Sequence, residues 1–174
     1  ETALVDALLA AQSKDNGSWD EWGTIDTTAN AIAGLAFYRD DARVAAAIEK
    51  GVNYLASQMK DDGTFDGGYG ANANSCAMVI IGLCAAGVNP DTDSRFVKNG
   101  VSALDGLLSF ALADNSGFWY QDNTQRNESA TEQGFRALIA ASQVAATDKA
   151  YNIYDFSLNA ASRTPGRATG SGEA

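Results

Sequence analysis

The sequence predicts an all-α fold of tandem helical hairpins, and two observations carry that expectation. Three turns of the form glycine-x-aromatic recur along the chain: Gly17-Ser18-Trp19, Gly63-Thr64-Phe65 and Gly117-Phe118-Trp119. After each comes a polar stretch and then a helix of small and apolar residues, at 26–35 (DTTANAIAGL), 74–83 (NSCAMVIIGL) and 129–138 (SATEQGFRAL), and the three align without gaps. Self-similarity at a period of about fifty residues marks stacked supersecondary units that bury their apolar faces only against each other.

Each element has a local reason. The aligned residues Asp26, Asn74 and Ser129 have short side chains that accept hydrogen bonds from the unpaired amides of a first helical turn, so they are expected as N-caps. Ser129 with Glu132 three residues on reads as a capping box. Gly34, Gly82 and Ala137 are small enough to let one inner helix cross another closely. A second helix class alternates with these. Val44, Ile48, Val52, Leu55 and Met59 fall at helical spacing with Arg43, Glu49, Lys50 and Asn53 between them, the pattern of a helix wet on one side. Phe96 or Val97, Val101, Leu104 and Leu108 repeat it, with Gly100-Val101 matching Gly51-Val52, and Leu4, Leu8 and Leu9 make a truncated first copy. Two layers follow, an apolar inner and an amphipathic outer one, curling into a toroid or solenoid. The predicted domain covers 1–161, with units at about 1–38, 39–87 and 93–145 and a closing helix at 147–161. A tail at 162–174 has a linker's composition.

Composition narrows the function. The 174 residues are 45% hydrophobic, sufficient for one domain with a substantial core. A formal charge of −10, spread along the chain, argues against nucleic acid and anionic membranes as partners. No apolar run of about 18 residues and no charged-then-apolar leader is present, so membrane insertion is not expected. Histidine is absent, which removes the commonest metal ligand and the usual general base near neutral pH. Cys76 and Cys84 lie eight residues apart in one expected helix. At about 1.5 Å per residue they stand roughly 12 Å apart, too far for a mutual disulfide. They read as small buried apolar residues.

Gln12 precedes Gly17-Ser18-Trp19, and Gln58 precedes Gly63-Thr64-Phe65, with identical spacing. This resembles the Gln/Trp repeat of squalene and oxidosqualene cyclases and its looser form in protein prenyltransferases. The resemblance covers roughly residues 1–145 and implies a partial, or half, α/α-toroid, since a full toroid of that family has six hairpins. It also implies structural roles for Gln12, Gly17, Trp19, Gln58, Gly63, Phe65, Gly117 and Trp119, the glutamine tying the turn to a neighbouring helix while the aromatic packs over it. The third unit departs from the pattern, with Leu112 where the glutamine should stand. Related toroids form the cobalamin-binding α-domain of transcobalamin and intrinsic factor, and Gram-positive surface proteins carry similar repeats. The ending at 151–156 (YNIYDF) is similar to the closing segment of those secreted relatives. A half toroid leaves helical flanks uncovered, so the expected partner is a second copy, as a homodimer, or missing N-terminal repeats ahead of Glu1.

The family's catalytic residues are not matched. The Asp-x-Asp-Asp acid of squalene cyclases has only Asp40-Asp41 and Asp91-x-Asp93 as counterparts, both at expected outer-helix starts where carboxylates complement the helix dipole. Prenyltransferase zinc ligands include a histidine that this chain lacks, and the thioester run Gly-Cys-Gly-Glu-Gln of complement-type toroids is not present. No metal and no cofactor is therefore predicted. Asp20, Glu21, Asp26, Asp66, Asp122 and Glu128 fall in the turn region or at inner-helix starts. A carboxylate pair about 5–9 Å apart among them would serve polysaccharide cleavage. Trp22, Tyr69 and Tyr120 lie outside the motif column and suit a stacking surface for a ring or sugar face, with Asp26, Asn30, Asn74 and Gln133 adding polar groups. The expected function is a non-catalytic ligand-binding or adhesion module of a secreted or cell-surface bacterial protein, its ligand an unknown small molecule, glycan or protein. The alternatives are a terpenoid cyclase-like or polysaccharide-active enzyme and a structural repeat spacer.

Overall fold

The computed structural model describes residues 2–19, 24–122 and 125–157. The chain is mostly helical, six helices packing together with one small two-stranded hairpin. In order these are α1 (Thr2–Ala11), α2 (Ile25–Leu35), α3 (Ala42–Gln58), α4 (Ala73–Ala86), the strands β1 (Val97–Lys98) and β2 (Val101–Ser102), α5 (Ala103–Leu108) and α6 (Glu128–Thr147). Helix α4 packs against both α2 and α6, making an inner row, while α3 lies on α2 and α5 on α4. α4 is buried nearly all round because it is sandwiched on two flanks and roofed by the outer elements. Gly82 makes the inner contact close: a Cβ there would stand 2.7 Å from the Ala29 carbonyl oxygen.

The three turns share a geometry that the glycine-x-aromatic pattern only approximates. In the first two, an Asx side chain accepts from the backbone two residues on (Ser18 N–H to Asn16, Thr64 N–H to Asp62), with Gly17 and Gly63 left-handed between them at φ +81° and +79°. In the third, Asp114 accepts from Ser116 N–H and Asn115 takes the left-handed place at φ 58°. Asn-Gly-Ser, Asp-Gly-Thr and Asp-Asn-Ser are therefore equivalent, because asparagine tolerates the left-handed region better than other side chains with a Cβ. Gly117 is an inserted residue. The aromatic column is consequently Trp19, Phe65 and Phe118, all buried, and not Trp119, which is half-buried against Phe110 with ring centroids 4.6 Å apart. Each column aromatic donates its N–H to the same position of the following inner helix: Trp19 to Thr28, Phe65 to the Cys76 sulfur and Phe118 to Thr131.

The glutamines differ. Gln12 donates to both the Gly17 and Ala47 carbonyls at 2.8 Å, tying its turn to α3 as the resemblance implies. Gln58 is exposed and donates only to the neighbouring Ser57 hydroxyl. It has no counterpart of Ala47 to reach, because the second turn meets β1–β2 and α5 rather than a long helix, and Lys98 donates to the Met59 carbonyl there instead. Gln12→Ala is thus expected to lose about 2 kcal/mol, while Gln58→Ala stays within about 0.5 kcal/mol of wild type in urea unfolding.

Other expectations are corrected. Val97 and Val101 lie in the hairpin rather than on an outer helix, since Asn99 and Gly100, both at positive φ, form a tight turn. Gly51 and Gly100 are not equivalent: Gly51 lies under Trp19, whereas a Cβ at Gly100 would meet open space. The N-cap positions are Thr24, Asn72 and Asn127, two residues before the expected column; Asn72 and Asn127 accept from the Ser75 and Ala130 N–H groups, while the Thr24 side chain makes no cap bond. Glu132 forms no box with Ser129 and pairs with Arg136; the capping box is Ser102 with Asp105. Asp41 and Asp93 do cap, accepting from the N–H groups of Arg43 and Arg95. The expected closing helix is not formed over 148–156, where Asp148 turns left-handed at φ 53° and ends α6. That segment crosses the C-terminal ends of the inner row, Tyr151 N–H reaching the Cys84 carbonyl and Asn152 the Ala33 carbonyl. Residues 158–161 lie outside the described residues.

Candidate functional site

Parallel packing of α2, α4 and α6 gathers their first turns at one end of the inner row. The displaced column now has a different place: Asp26, Asn74 and Ser129 sit two residues inside the helices and bridge them. The Ser75 hydroxyl donates to Asp26 Oδ2 at 3.3 Å, joining α4 to α2. Asn74 Nδ2 donates to the Ser129 hydroxyl at 3.1 Å, joining α4 to α6, and Gln133 Nε2, within α6, donates to the same oxygen at 3.4 Å. Among the described residues, three buried side-chain oxygens of this cluster accept no hydrogen bond: Asp26 Oδ1, Asn74 Oδ1 and Gln133 Oε1. An acceptor left without a donor costs about 1–3 kcal/mol, so each of these oxygens is a place where an added donor stabilises.

The loop 66–72 roofs the cluster. Asp66 holds it by accepting from the Gly68 and Gly70 N–H groups at 2.9 and 2.8 Å and from Lys60 at 3.2 Å. The Gly68 amide first, with the Lys60 ammonium behind it, keeps the Asp66 carboxyl below the usual carboxylate range. Gly67 lies directly over the cluster; a Cβ there would stand 2.3 Å from Ser75 Oγ and 3.2 Å from Asp26 Oδ2. Gln121 donates to the Tyr69 carbonyl at 2.7 Å, and Ala73 N–H to that of Tyr120, so the neighbouring loop braces the roof. Beside it Tyr120, Gln121, Asp122, Gln125, Arg126 and Asn127 line a cleft of about 290 Å³.

Of the residues expected to bind ligand, Asp26 bridges α2 to α4 through Ser75, while Asn74 and Gln133 meet at Ser129 between α4 and α6. Tyr69 stands at the roof loop's tip with 85% of its surface exposed, and Tyr120 lines the adjacent cleft. Asn30 is exposed one turn along α2 from Asp26. Trp22, with Asp20 and Glu21, lies outside the described residues. Sequence reasoning missed Ser75 and Gly67, whose roles arise only from the pairing of α2 with α4 and the path of the roof. The cysteines are free and buried, their thiols pushed up to about 12 by burial, which leaves them inert. Among the described residues no group of three or more Cys, Asp and Glu side chains is placed to hold a metal, and no helix is long and apolar enough to cross a membrane.

Burial pushes the Asp26 carboxyl above its ordinary value of 3.8, the Ser75 hydrogen bond opposing this. The folded carboxyl holds its proton more tightly than the unfolded one. Its stabilisation is therefore complete below the ordinary value and is lost as pH rises through the folded value. Asp26→Asn, which stays neutral, is expected to gain on wild type between pH 4 and pH 7 in urea unfolding. A difference between the two that does not change over that interval would mean that Asp26 is ordinarily solvated.

Compared with known protein families, curated proteins and solved structures, the chain matches none.

Proposed function

We propose that the chain is a non-catalytic ligand-binding or adhesion module of a secreted or cell-surface bacterial protein, its helical row forming part of an α/α-toroid and its ligand held at the loop rim. The observation that carries this reading is the set of three orphaned acceptor oxygens on Asp26, Asn74 and Gln133 in the first turns of the inner helices, with Asp26 beneath a glycine-rich roof. An unpaired acceptor is stabilised by any donor that reaches it, and a bound ligand is one such donor. All three are acceptors, so the ligand that satisfies them presents hydrogen-bond donors: hydroxyls, amides or an ammonium group. Exposed Tyr69 and rim-lining Tyr120 offer faces for stacking. The roof must open for entry, and its three glycines (Gly67, Gly68 and Gly70) make that motion accessible.

The test is a panel of corrinoids, oligosaccharides and lysine-containing peptides scored by thermal shift on wild type, Tyr69→Ala and Trp22→Ala. A ligand whose shift survives both changes removes the aromatic rim from the site. An enzyme reading draws on the same Asp26, whose raised carboxyl suits a general acid. It requires turnover of a polysaccharide that Asp26→Asn abolishes with the fold intact.

A further inference from the structure

The repeat register assigns equivalent stripes to the three inner helices, and two of them are already interfaces. On α4 the stripe is Ser75, Met78, Gly82 and Ala85, and it packs on the Asp26–Ala29 face of α2. On α6 the same positions are Ala130, Gln133, Ala137 and Ala140, turned toward α4, with every residue except half-buried Gln133 fully buried. On α2 they are Thr27, Asn30 and Gly34, followed by Phe37 in the short 3-10 turn Ala36–Tyr38, and all four are exposed, Phe37 by 50%. A Cβ on Gly34 would meet nothing within 4 Å, whereas its counterpart Gly82 touches backbone. Tyr38 extends the exposed apolar surface beside Phe37.

We infer that this α2 flank is the docking face for a helix that presents the same surface as α2 and α4 do to their successors, an Asp or Asn followed three residues on by Ala. Such a helix is the inner helix of a further hairpin of this repeat, lying ahead of α1. A second copy of the chain does not supply it. The Asp26–Ala29 and Asn74–Ala77 faces are each already covered, by α4 and α6. The corresponding face of α6 carries Glu132 in place of alanine, paired with Arg136, whose guanidinium also reaches the Tyr154 hydroxyl at 3.4 Å. Docking α6 on α2 would bury that ion pair against Gly34 and Asn30, at a desolvation cost that small residues do not offset. The α2 flank is therefore open, while the matching place on α6 carries the Glu132–Arg136 pair beside exposed Ile139.

The experiment fuses a duplicate of residues 42–92, which carries α3 and α4, ahead of residue 2 of the full chain, and follows urea unfolding together with sedimentation of the unfused chain. The fusion is expected to unfold in one transition, with a larger denaturant slope and a higher midpoint than the unfused chain. Gly34→Leu should split that transition in two while leaving the unfused chain no less stable. The unfused chain should sediment as a monomer. A fused unit that stays unfolded or melts independently, or a single transition indifferent to Gly34→Leu, overturns the assignment. So does a dimer of the unfused chain that Gly34→Leu dissociates, which would give the face to a second copy.

Discussion

Phe65→Ala is expected to cost about 3–5 kcal/mol, enough to leave a domain of ordinary stability largely unfolded. The ring is fully buried and sits where turn, inner helix and outer layer meet, its own N–H held by Cys76 at 3.3 Å. Truncation removes apolar contact on every side, and the backbone on which the ring is mounted is pinned by the turn, so the cavity cannot collapse. The third unit supplies the discriminating comparison. Phe118→Ala should cost nearly as much as Phe65→Ala, since Phe118 is buried and its N–H and carbonyl both engage Thr131. Trp119→Ala, which removes a larger but half-buried ring, should cost about 1–2 kcal/mol. The reverse order would restore Trp119 to the motif column. Equilibrium urea unfolding of the three variants decides it.

The second large effect is expected at the Gly63–Gly106 contact. A Cβ on Gly106 would stand 2.1 Å from the Gly63 carbonyl oxygen, and one on Gly63 would stand 2.3 Å from the Ser102 carbonyl oxygen. Both obstacles are backbone, so no rotamer change relieves them. Gly106→Ala should cost about 3 kcal/mol through forced separation of the turn from α5. Gly63→Ala adds a left-handed backbone penalty of about 1–2 kcal/mol to a similar overlap. Gly34→Ala is the control, also in a helix but with open space around it; it should stabilise by about 0.5–1 kcal/mol. Chemical denaturation of these variants separates crowding from helix propensity.

The inner helices were legible because their apolar residues are continuous and their period is unbroken, and α3 because its wet and dry faces alternate cleanly. What was misread has definite causes. Both columns 24/72/127 and 26/74/129 consist of residue types that cap helices, so type alone does not choose between them; the chain's path does, and it gives capping to Asn72 and Asn127 of the earlier column and frees the later one to bridge helices. Aligning the third turn on Gly117 assumed that glycine alone takes the left-handed position, which Asn115 fills. The Asn99-Gly100 pair was a hairpin signal overridden by the apparent helical spacing of Phe96, Val101, Leu104 and Leu108. Of the rim, the polarity of Asp26, Asn74 and Gln133 is legible in the sequence, but the bridges they make to Ser75 and Ser129 depend on α4 lying between α2 and α6, which no local pattern encodes.

The measurement that bears most directly on the rim as a ligand site is thermal unfolding of wild type and Gln133→Leu at pH 7, each alone and with the panel of donor-bearing ligands. Removing an orphaned acceptor should relieve about 1 kcal/mol, so the variant alone should melt about 2–4 °C above wild type. A ligand that raises the wild-type midpoint should leave the variant's nearly unmoved. A variant that melts below wild type, and that responds to the ligand as wild type does, would mean that Gln133 serves the fold rather than the site.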